Sequence, residues 1–495
     1  MLKMSKQQKS ETFLLRSFLG RDDKTRTCDL APPRRVRYQL RYIPFLCFCA
    51  LDFSFAMQRY DIILYSPNNF RNFAHKIIKK RTEPAIMEVF APNILRTNIQ
   101  LPSSKSISNR ALIIRSLSGS DMPIDNISDC DDSKVVEDAL KHMPHVIDIK
   151  AAGTAMRFMT SLLCTVDGEH IITGTERMQC RPIAVLVDAL RSLGADITYI
   201  NKEGFPPLKI KGGELTGCRL SLPGNVSSQY ISSLLMIAPR LKNGLVLELT
   251  GEVISRPYID MTLAIMQQFG AKVQWNDERT VGVEPVPYSP IPYYIESDWS
   301  AASYWYEMVA LTMDNEAEVL LPGLFRNSLQ GDSKVAELFS LLGVDSKFDG
   351  DSVRLTKKAC EKGMLACNMA NQPDLAQAIV VTCCMQGRHF RISGLQTLRI
   401  KETDRIAALQ RELGKLGFLI GVEGDNTMFW NGETAKTGSE SDDVAIDTYE
   451  DHRMAMAFAP VALTRGNITI NNPDVVSKSY PRFWEDLKKA GFKIA

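Results

Sequence analysis

The chain has 495 residues, of which 45% are hydrophobic and 23% charged, a composition typical of globular proteins at a length that allows two or more domains. The formal net charge of +2 is unevenly divided along the chain. Residues 1–86 carry 17 Lys and Arg against 7 Asp and Glu, whereas the remaining residues carry 42 Lys and Arg against 50 Asp and Glu. An acidic body gives no general reason to expect nucleic-acid binding, so an anion site must come from local clusters of Lys and Arg.

The 11 cysteines are scattered without a CxxC pair or a Cys/His metal spacing. This pattern predicts reduced thiols in a cytoplasmic protein and no metal site. The longest apolar run, over residues 42–57, is too short to span a bilayer and contains Asp52. We therefore expect no membrane partner.

Residues 1–86 are basic and aromatic without a clear helical or strand period. Their acidic residues are untypical of a transit peptide. We interpret this stretch as a basic N-terminal extension, disordered or non-native, that activity does not require.

A repeat begins after this extension. Helical Leu/Ile patterns end at a glycine and lead into a short apolar stretch five times, at Gly194, Gly270, Gly343, Gly417 and Gly491, with intervals of 73 to 76 residues. Glycine past a helix C-terminus allows the left-handed conformation that stops the helix. Each unit is therefore predicted to contain a helix that leads into a strand.

A second series of helix starts runs in step with the glycines. Each start is a small or polar cluster before an apolar run, near Lys105, Gly153, Ser227, Ser300, Asp374 and Asp451. Together the two series predict six units, the first of them shortened. Six units, three per domain, predict an α/β architecture.

Polar clusters occupy these starts in chain order. Lys105, Ser106 and Arg110 open the first helix, where cations oppose the helix dipole unless an anion is bound. The alternative is an N-cap serine on a solvated face. Gly153 opens the next helix with free backbone N–H groups, and Arg181 precedes a proline expected at the first position of a helix. Arg181 alone could equally be a surface charge.

The clusters continue along the chain. Ser227, Ser228 and Gln229 give a third helix start more polar groups than capping needs, and Ser255 precedes another helix. Asp374 stands at a helix start, where capping is the simpler explanation.

The last clusters are again basic. Lys401, Glu402 and Arg405 share one helix start, and Arg453 and Lys478 stand before or within later ones. Taken jointly, the clusters predict a cleft for a polyhydroxylated, phosphorylated or carboxylated small molecule.

Seven motifs carry a resemblance over residues 87–495: LPSSKSISNRA, AAGTAMR, RPIAVLVDAL, LPGNVSSQ, SRPYIDMT, RIKETDRI and YEDHRMAMAF. They resemble, in order, the motifs of the enolpyruvyl transferase family in its 5-enolpyruvylshikimate-3-phosphate synthase branch. The resemblance implies a two-domain inverted α/β barrel of six βαβαββ-type repeats. One lobe would comprise residues 87–103 and 297–495, with residues 104–296 inserted as the second lobe. The implied crossings lie near 101–104 and 295–298.

The resemblance also implies a reaction. The enolpyruvyl group of phosphoenolpyruvate would pass to the 5-hydroxyl of shikimate 3-phosphate by addition and elimination through a tetrahedral intermediate, releasing phosphate without a metal or organic cofactor. The implied catalytic residues are Asp374 as base for the hydroxyl, Glu402 for the methyl proton, and Lys105. Both substrates are anions, and we expect a monomer.

The implied contacts follow from the motifs. For shikimate 3-phosphate they are Lys105, Ser106, Arg110, Ser227, Ser228, Gln229, Ser255, Asp374 and Lys401. For phosphoenolpyruvate they are Lys105, Gly153, Arg181, Gln229, Arg405, Arg453 and Lys478. The positions that depart from the usual family pattern are Ser103, Ala151, Phe158 and Thr397.

Two alternatives stay open at this point. The sister enzyme that transfers enolpyruvate to UDP-N-acetylglucosamine shares the fold, but its loop cysteine lies a few residues before an Arg-Pro pair, whereas Cys180 directly adjoins Arg181. A non-catalytic binder of phosphorylated metabolites would not need Asp374 and Glu402.

Overall fold

The structure is a computed structural model that describes residues 85–435 and 444–495. Apart from its last two residues, the extension predicted over residues 1–86 lies outside the described residues. Within the described part, no helix is long and apolar enough to cross a membrane.

The described residues form six β-sheets, five of which have four strands and one pairing pattern: a parallel pair at one edge, followed by two antiparallel pairings. In that order, the strands of the five sheets are Val146–Asp148, Gly168–Thr173, Leu208–Gly212 and Asp196–Tyr199; Arg219–Pro223, Leu245–Thr250, Thr280–Val283 and Val273–Trp275; Arg96–Asn98, Glu318–Pro322, Ser352–Lys357 and Val344–Asp349; Leu365–Asn368, Phe390–Ser393, Thr427–Trp430 and Gly421–Glu423; and Ala445–Ile446, Asn467–Asn471, Ile86–Phe90 and Lys493–Ile494. The sixth sheet is the parallel pair Ile124–Asp125 and Tyr293–Tyr294.

Fourteen α-helices accompany these sheets in the described ranges: Lys105–Leu117, Asp131–His142, Gly153–Leu163, Glu176–Gln179, Ala184–Ser192, Ser228–Ile237, Arg256–Gln268, Trp299–Leu311, Val335–Leu341, Ala376–Met385, Arg405–Lys415, His452–Phe458, Ala462–Arg465 and Phe483–Lys489. Short 3-10 helices occur at Ala238–Arg240, Gly331–Lys334, Pro373–Leu375, Gln396–Ile400, Ala459–Val461 and Pro473–Lys478. The α/β fold class predicted from the sequence is confirmed.

The repeat glycines all lie where the spacing predicts. Each follows a helix by two residues with a positive φ, from 84° at Gly270 to 101° at Gly194, and each precedes a strand. The shortened first unit uses Met143, with φ 37°, after the helix Asp131–His142, and its sheet has only two strands. The five glycines thus end helices as C′ residues do.

Several helices are buried on nearly all sides. Every residue of His452–Phe458 and all but one of Trp299–Leu311 are buried, and Lys105–Leu117 has nine buried residues. Such helices can present polar groups only near their ends. The sheets cover them with alternating strands such as Leu245–Thr250, in which the first, third and fifth residues are buried.

Buried apolar residues form two separate cores. One contains residues of 89–101 and 299–492, and the other contains residues of 107–295. Between them the two predicted crossings pair with each other: Ser103 bridges Ser297, and Ser104 N–H donates to the carbonyl oxygen of Glu296 at 2.8 Å.

Two local expectations are wrong. Asp374 does not cap a helix, because it lies inside the 3-10 helix Pro373–Leu375, one turn before Ala376–Met385. Pro182 is not the first residue of its helix, which begins at Ala184 with Ile183 as its cap. In both places the chain makes a turn before the α-helix starts, and residue preferences alone did not separate the turn from the helix.

Candidate active site

Most of the predicted site residues do not cap the helices at whose starts they lie. Ser104 Oγ accepts from Ile107 N–H at 3.4 Å, and Asp298 and Asp451 cap their helices in the same way. The exception is Ser227, whose hydroxyl accepts from Gln229 N–H at 3.4 Å. Capping therefore accounts for Ser227 and leaves Lys105, Ser106 and Gly153 available for other contacts.

Arg405 is the centre of the site. Its side chain is 2% exposed, and its guanidinium group contacts three carboxylates: Asp451 at 2.7 Å, Asp374 at 2.9 Å and Glu402 at 2.9 Å. A planar guanidinium group can hold several acceptors in fixed directions. Arg405 thereby joins Asp374 and Glu402, the two acids predicted to transfer protons.

Asp374 is surrounded by cations. Besides Arg405, Nη2 of Arg453 lies 3.0 Å from Oδ2 of Asp374 and Nζ of Lys401 lies 3.6 Å from Oδ1. Burial alone would raise the pKa of Asp374, but Arg453, Lys401 and Arg405 hold it well below its ordinary value. Asp374 is consequently a carboxylate in this structure.

Glu402 has its own set of cations. Nζ of Lys478 lies 2.9 Å from Oε1, opposite the contact of Arg405 with Oε2. Burial would raise the pKa of Glu402, but Lys478, Arg405 and Arg181 keep it well below its ordinary value. Lys478 also donates to the carbonyl oxygen of Ala151 at 3.1 Å, so it links Glu402 to the segment before Gly153.

Gly153 and Arg181 are in contact. A Cβ atom on Gly153 would lie 2.5 Å from Nη1 of Arg181, so the missing side chain leaves the space that the guanidinium group occupies. The next residue, Thr154, accepts a 3.0 Å hydrogen bond from Nε2 of Gln229. Gly153, Arg181 and Gln229, predicted as contacts of one ligand, therefore lie together.

Lys105 contacts Asp132, with Nζ 3.3 Å from Oδ2. Burial would lower the pKa of Lys105, but the charge of Asp132 raises it above the ordinary value. Lys105 is therefore a cation, and the charges of Arg453 and Glu402 also act on it.

Arg110 is buried without a carboxylate partner in the described residues. Its donors reach Thr262 Oγ1 at 2.7 Å, the carbonyl oxygen of Ser106 at 2.8 Å, and Ser232. Burial lowers the pKa of Arg110 to about 10. A buried cation without a counter-charge favours an anionic ligand nearby.

Ser255 has a left-handed backbone, with φ 55°, and its N–H donates to the carbonyl oxygen of Ala370 at 2.9 Å. This contact joins the helix Arg256–Gln268 to the segment before Asp374. Ser228 and Gln229 are the first two residues of their helix, next to the capping Ser227.

Sequence reasoning missed several residues of this cluster. Asp132 contacts Lys105, and Thr154 contacts Gln229. Asp451, which contacts Arg405, was interpreted only as a helix start. Tyr258 and Asp332 lie beside Asp374. The motif positions of Thr154, Tyr258 and Asp451 were visible signals, whereas nothing in the local pattern marked Asp132 or Asp332.

The arrangement can bind multiply charged anions. A cavity of about 370 Å³ lies beside Lys478, but its charged lining is mixed, with Asp131, Asp132, Asp138 and Glu450 against Lys134, Lys150 and Lys478. Among the described residues, no group of three or more His, Cys, Asp or Glu side chains could hold a metal ion. When a substrate binds, its phosphate and carboxylate groups can replace the acids as partners of these cations. The acids are then free to transfer protons.

Comparison with known proteins gives a consistent result. A family model described as EPSP synthase (3-phosphoshikimate 1-carboxyvinyltransferase) matches residues 142–487. A 3-phosphoshikimate 1-carboxyvinyltransferase of Bacteroides fragilis is 55% identical over 405 residues, 82% of this chain and 97% of the relative. One of Photobacterium damsela subsp. piscicida is 35% identical over 425 residues, 80% and 97% of the two chains. The solved EPSP synthase of Acinetobacter baumannii has a TM-score of 0.64 at 20% identity and covers 83% of this chain and 100% of its own.

The fold is that of a solved EPSP synthase, and the cluster of cations around two buried acids is suited to binding small anionic molecules. The sequence matches are more specific. The chain belongs to the EPSP synthase (3-phosphoshikimate 1-carboxyvinyltransferase) family.

Proposed function

We propose that the cluster around Arg405 is the catalytic site for enolpyruvyl transfer in this chain. The family is a family of transferases of the shikimate pathway, which makes aromatic amino acid precursors, and its members use phosphoenolpyruvate and shikimate 3-phosphate. The chain has this activity: the enolpyruvyl group passes to the 5-hydroxyl of shikimate 3-phosphate and phosphate is released. One observation carries the assignment of the site, namely that a single buried guanidinium group contacts Asp374 and Glu402 together.

The proposed substrate contacts form two sets, which share Lys105 and Gln229. For shikimate 3-phosphate we propose Lys105, Ser106, Arg110, Ser227, Ser228, Gln229, Ser255, Asp374 and Lys401. For phosphoenolpyruvate we propose Lys105, Gly153, Arg181, Gln229, Arg405, Arg453 and Lys478. The buried Arg110, which has no carboxylate partner in the described residues, supports the first set, and the contact of Gly153 with Arg181 supports the second.

The proton transfers fall to Asp374 and Glu402. Asp374 accepts the proton of the 5-hydroxyl while that oxygen bonds to C2 of phosphoenolpyruvate, and Glu402 donates a proton to C3. In the elimination step phosphate leaves C2 with its bonding electrons, Glu402 takes a proton back from C3, and the released phosphate takes up the proton held by Asp374, so that both acids return to their starting state. Glu402 is ionised beside Lys478 and Arg405, and an anionic substrate that draws these cations away raises its pKa so that it can carry that proton.

The two hydrophobic cores support a division into two lobes. We propose residues 87–103 with 297–495 as one lobe and residues 104–296 as the inserted other. The contacts of Lys478 with Ala151 and of Ser255 with Ala370 connect the two cores. We further propose a cytoplasmic monomer, in keeping with the eight free cysteines of the described residues.

The experiment is a measurement of turnover and binding in Glu402→Gln. The amide keeps the size of the side chain but cannot transfer the proton, so we expect phosphate release to fall at least 10³-fold, roughly the upper range for a positioned proton donor. Binding of both substrates, measured by calorimetry, should stay within about tenfold.

Two comparisons make this test specific. Glu423→Gln changes an exposed glutamate paired with Arg391 and should have normal turnover. The wild-type chain should release phosphate with shikimate 3-phosphate and not with UDP-N-acetylglucosamine. A Glu402→Gln variant with normal turnover would contradict the assignment.

A further inference from the structure

Tyr258 lies between two carboxylates. Its hydroxyl oxygen is 3.4 Å from Oδ1 of Asp332 and 3.4 Å from Oδ2 of Asp374. A phenol has one proton and can donate it to only one of the two acceptors at a time. The two carboxylate oxygens are no farther apart than twice that distance, so the charge of either acid acts on the other.

Asp332 is buried, and within the described part no cation forms an ion pair with it. It is 3% exposed, and the hydroxyl of Ser300 donates to its Oδ2. Tyr258, Asp374, Arg453 and Asp298 are the titratable and charged groups that face it.

The other charged residues of the elements packed against Asp332 either pair elsewhere or lie apart from it. Lys334 on its own 3-10 helix pairs with Glu337 of the next helix, and both side chains are largely exposed. Arg256 and Asp260 pair on the helix that carries Tyr258. Glu307 lies two turns from Ser300 along the helix Trp299–Leu311.

The two acids have opposite electrostatic surroundings. The pKa of Asp332 is raised to about 6, first by burial and then by the charge of Asp374, while Arg453 opposes the increase. Asp374 has three cations around it and a pKa well below its ordinary value. Because a carboxylate with so low a pKa is a weak base, Asp374 alone is poorly matched to removing a proton from a hydroxyl group.

We propose that Asp332 is a positioning residue for the transfer reaction, which acts on Asp374 through the hydroxyl of Tyr258 and strengthens it as a base by its negative charge. This inference rests on the proposed role of Asp374. When Asp374 takes the proton of the 5-hydroxyl, its Oδ2 no longer needs to accept a hydrogen bond from Tyr258. The Tyr258 hydroxyl then donates to Asp332 instead. No net proton leaves Tyr258, so the step balances.

The test compares kcat across pH in the wild type and in Asp332→Asn. The amide has nearly the same shape, can accept from Ser300 and can donate to Tyr258, but it carries no charge. We expect kcat at pH 8 to fall about tenfold while KM for both substrates changes less than about threefold. In the wild type kcat should rise with pH through a midpoint near 6 as Asp332 ionises, and the variant should lack this rise.

Asp486→Asn is the matched control. Asp486 is also buried and also accepts from a tyrosine hydroxyl, that of Tyr480 at 2.8 Å, but it is not a partner in the ion pairs of Arg405 or Asp374. It should keep the wild-type kcat and pH profile. Ser300→Ala gives a second measurement if Asp332→Asn does not fold: loss of a donor to Asp332 should move the midpoint to higher pH.

The outcomes separate this inference from the proposed function. A wild-type kcat and pH profile in Asp332→Asn, or an unmoved midpoint in Ser300→Ala, overturns the role of Asp332. Normal turnover in Asp374→Asn overturns the role of Asp374 and the inference with it. An inactive Asp374→Asn beside an unchanged Asp332→Asn overturns the inference alone.

Discussion

Glu307 is a single residue whose position conflicts with its charge. It is 0% exposed within the helix Trp299–Leu311, and neither carboxylate oxygen has a hydrogen-bond partner in the described residues. Burial raises its pKa well above the ordinary value of 4.5, and the nearby hydroxyl of Thr382 opposes this only in part, because it donates to the carbonyl oxygen of Ala378. The folded chain therefore holds a proton on Glu307 at pH values where the unfolded chain releases it.

The sign of the effect on stability follows from this difference. A raised folded-state pKa contributes stability below about pH 4.5, and that contribution is lost as pH rises towards the folded-state value. Glu307→Gln removes the titration, so its free energy of unfolding should exceed that of the wild type by about 1–3 kcal/mol at pH 8 and by little at pH 4.5. Chemical denaturation at both pH values would measure it.

Glu337→Gln serves as the exposed comparison, since that glutamate pairs with Lys334 at the surface. It should change stability little at either pH. An equal pH dependence in Glu307→Gln and the wild type would show that Glu307 is already ionised in the folded chain.

At the scale of elements, the start of the helix Gly153–Leu163 depends on the absence of a side chain. In Gly153→Ala the new Cβ would lie 2.5 Å from Nη1 of Arg181, the flexible end of that side chain, so the guanidinium group moves and the fold is kept. We expect KM for phosphoenolpyruvate to rise about tenfold, the loss of roughly one charge-assisted hydrogen bond, with less change in KM for shikimate 3-phosphate. Steady-state kinetics with each substrate varied in turn would measure both.

Gly414→Ala is the matched helical control. No atom lies within 4 Å of its ideal Cβ position, and it belongs to the helix Arg405–Lys415. Kinetics should be unchanged, and stability should increase by about 0.5–1 kcal/mol. A Gly153→Ala variant with unchanged KM for phosphoenolpyruvate would argue against Arg181 as a contact of that substrate.

Structural features that depend on residues close together in the sequence were easier to predict than those that depend on distant residues. The helix-ending glycines were predictable because a C′ glycine is recognised from a few adjacent residues. For Asp374 the neighbouring residues alone favour a cap, because its cations come from Lys401, Arg405 and Arg453, far along the chain. The role proposed for Asp332 had no sequence signal at all, since Tyr258 lies 74 residues away.

At the scale of the whole molecule, the strand Ile86–Phe90 limits how much of the chain can be removed. It lies between Asn467–Asn471 and Lys493–Ile494, and Val89 pairs with Ile468 on one side and Ile494 on the other. A chain that begins at Ala85 should keep full activity. One that begins at Ala91 loses the strand and the buried Val89, and its Tm should fall by about 5 °C or more.

Thermal denaturation and phosphate release of the two shortened chains would test this. Loss of activity in the chain that begins at Ala85 would contradict the interpretation of residues 1–86 as dispensable. An unchanged Tm in the chain that begins at Ala91 would contradict the importance of the strand.

The pairing of Ile86–Phe90 with strands near the end of the chain also affects biosynthesis. A ribosome produces that strand early, but its neighbours Asn467–Asn471 and Lys493–Ile494 emerge only after residues 107–295. The core in 107–295 can therefore assemble on the nascent polypeptide while the other core waits for these two strands. In the interval the early strand has unpaired edges, which makes newly made chains vulnerable to aggregation until both partner strands have been made.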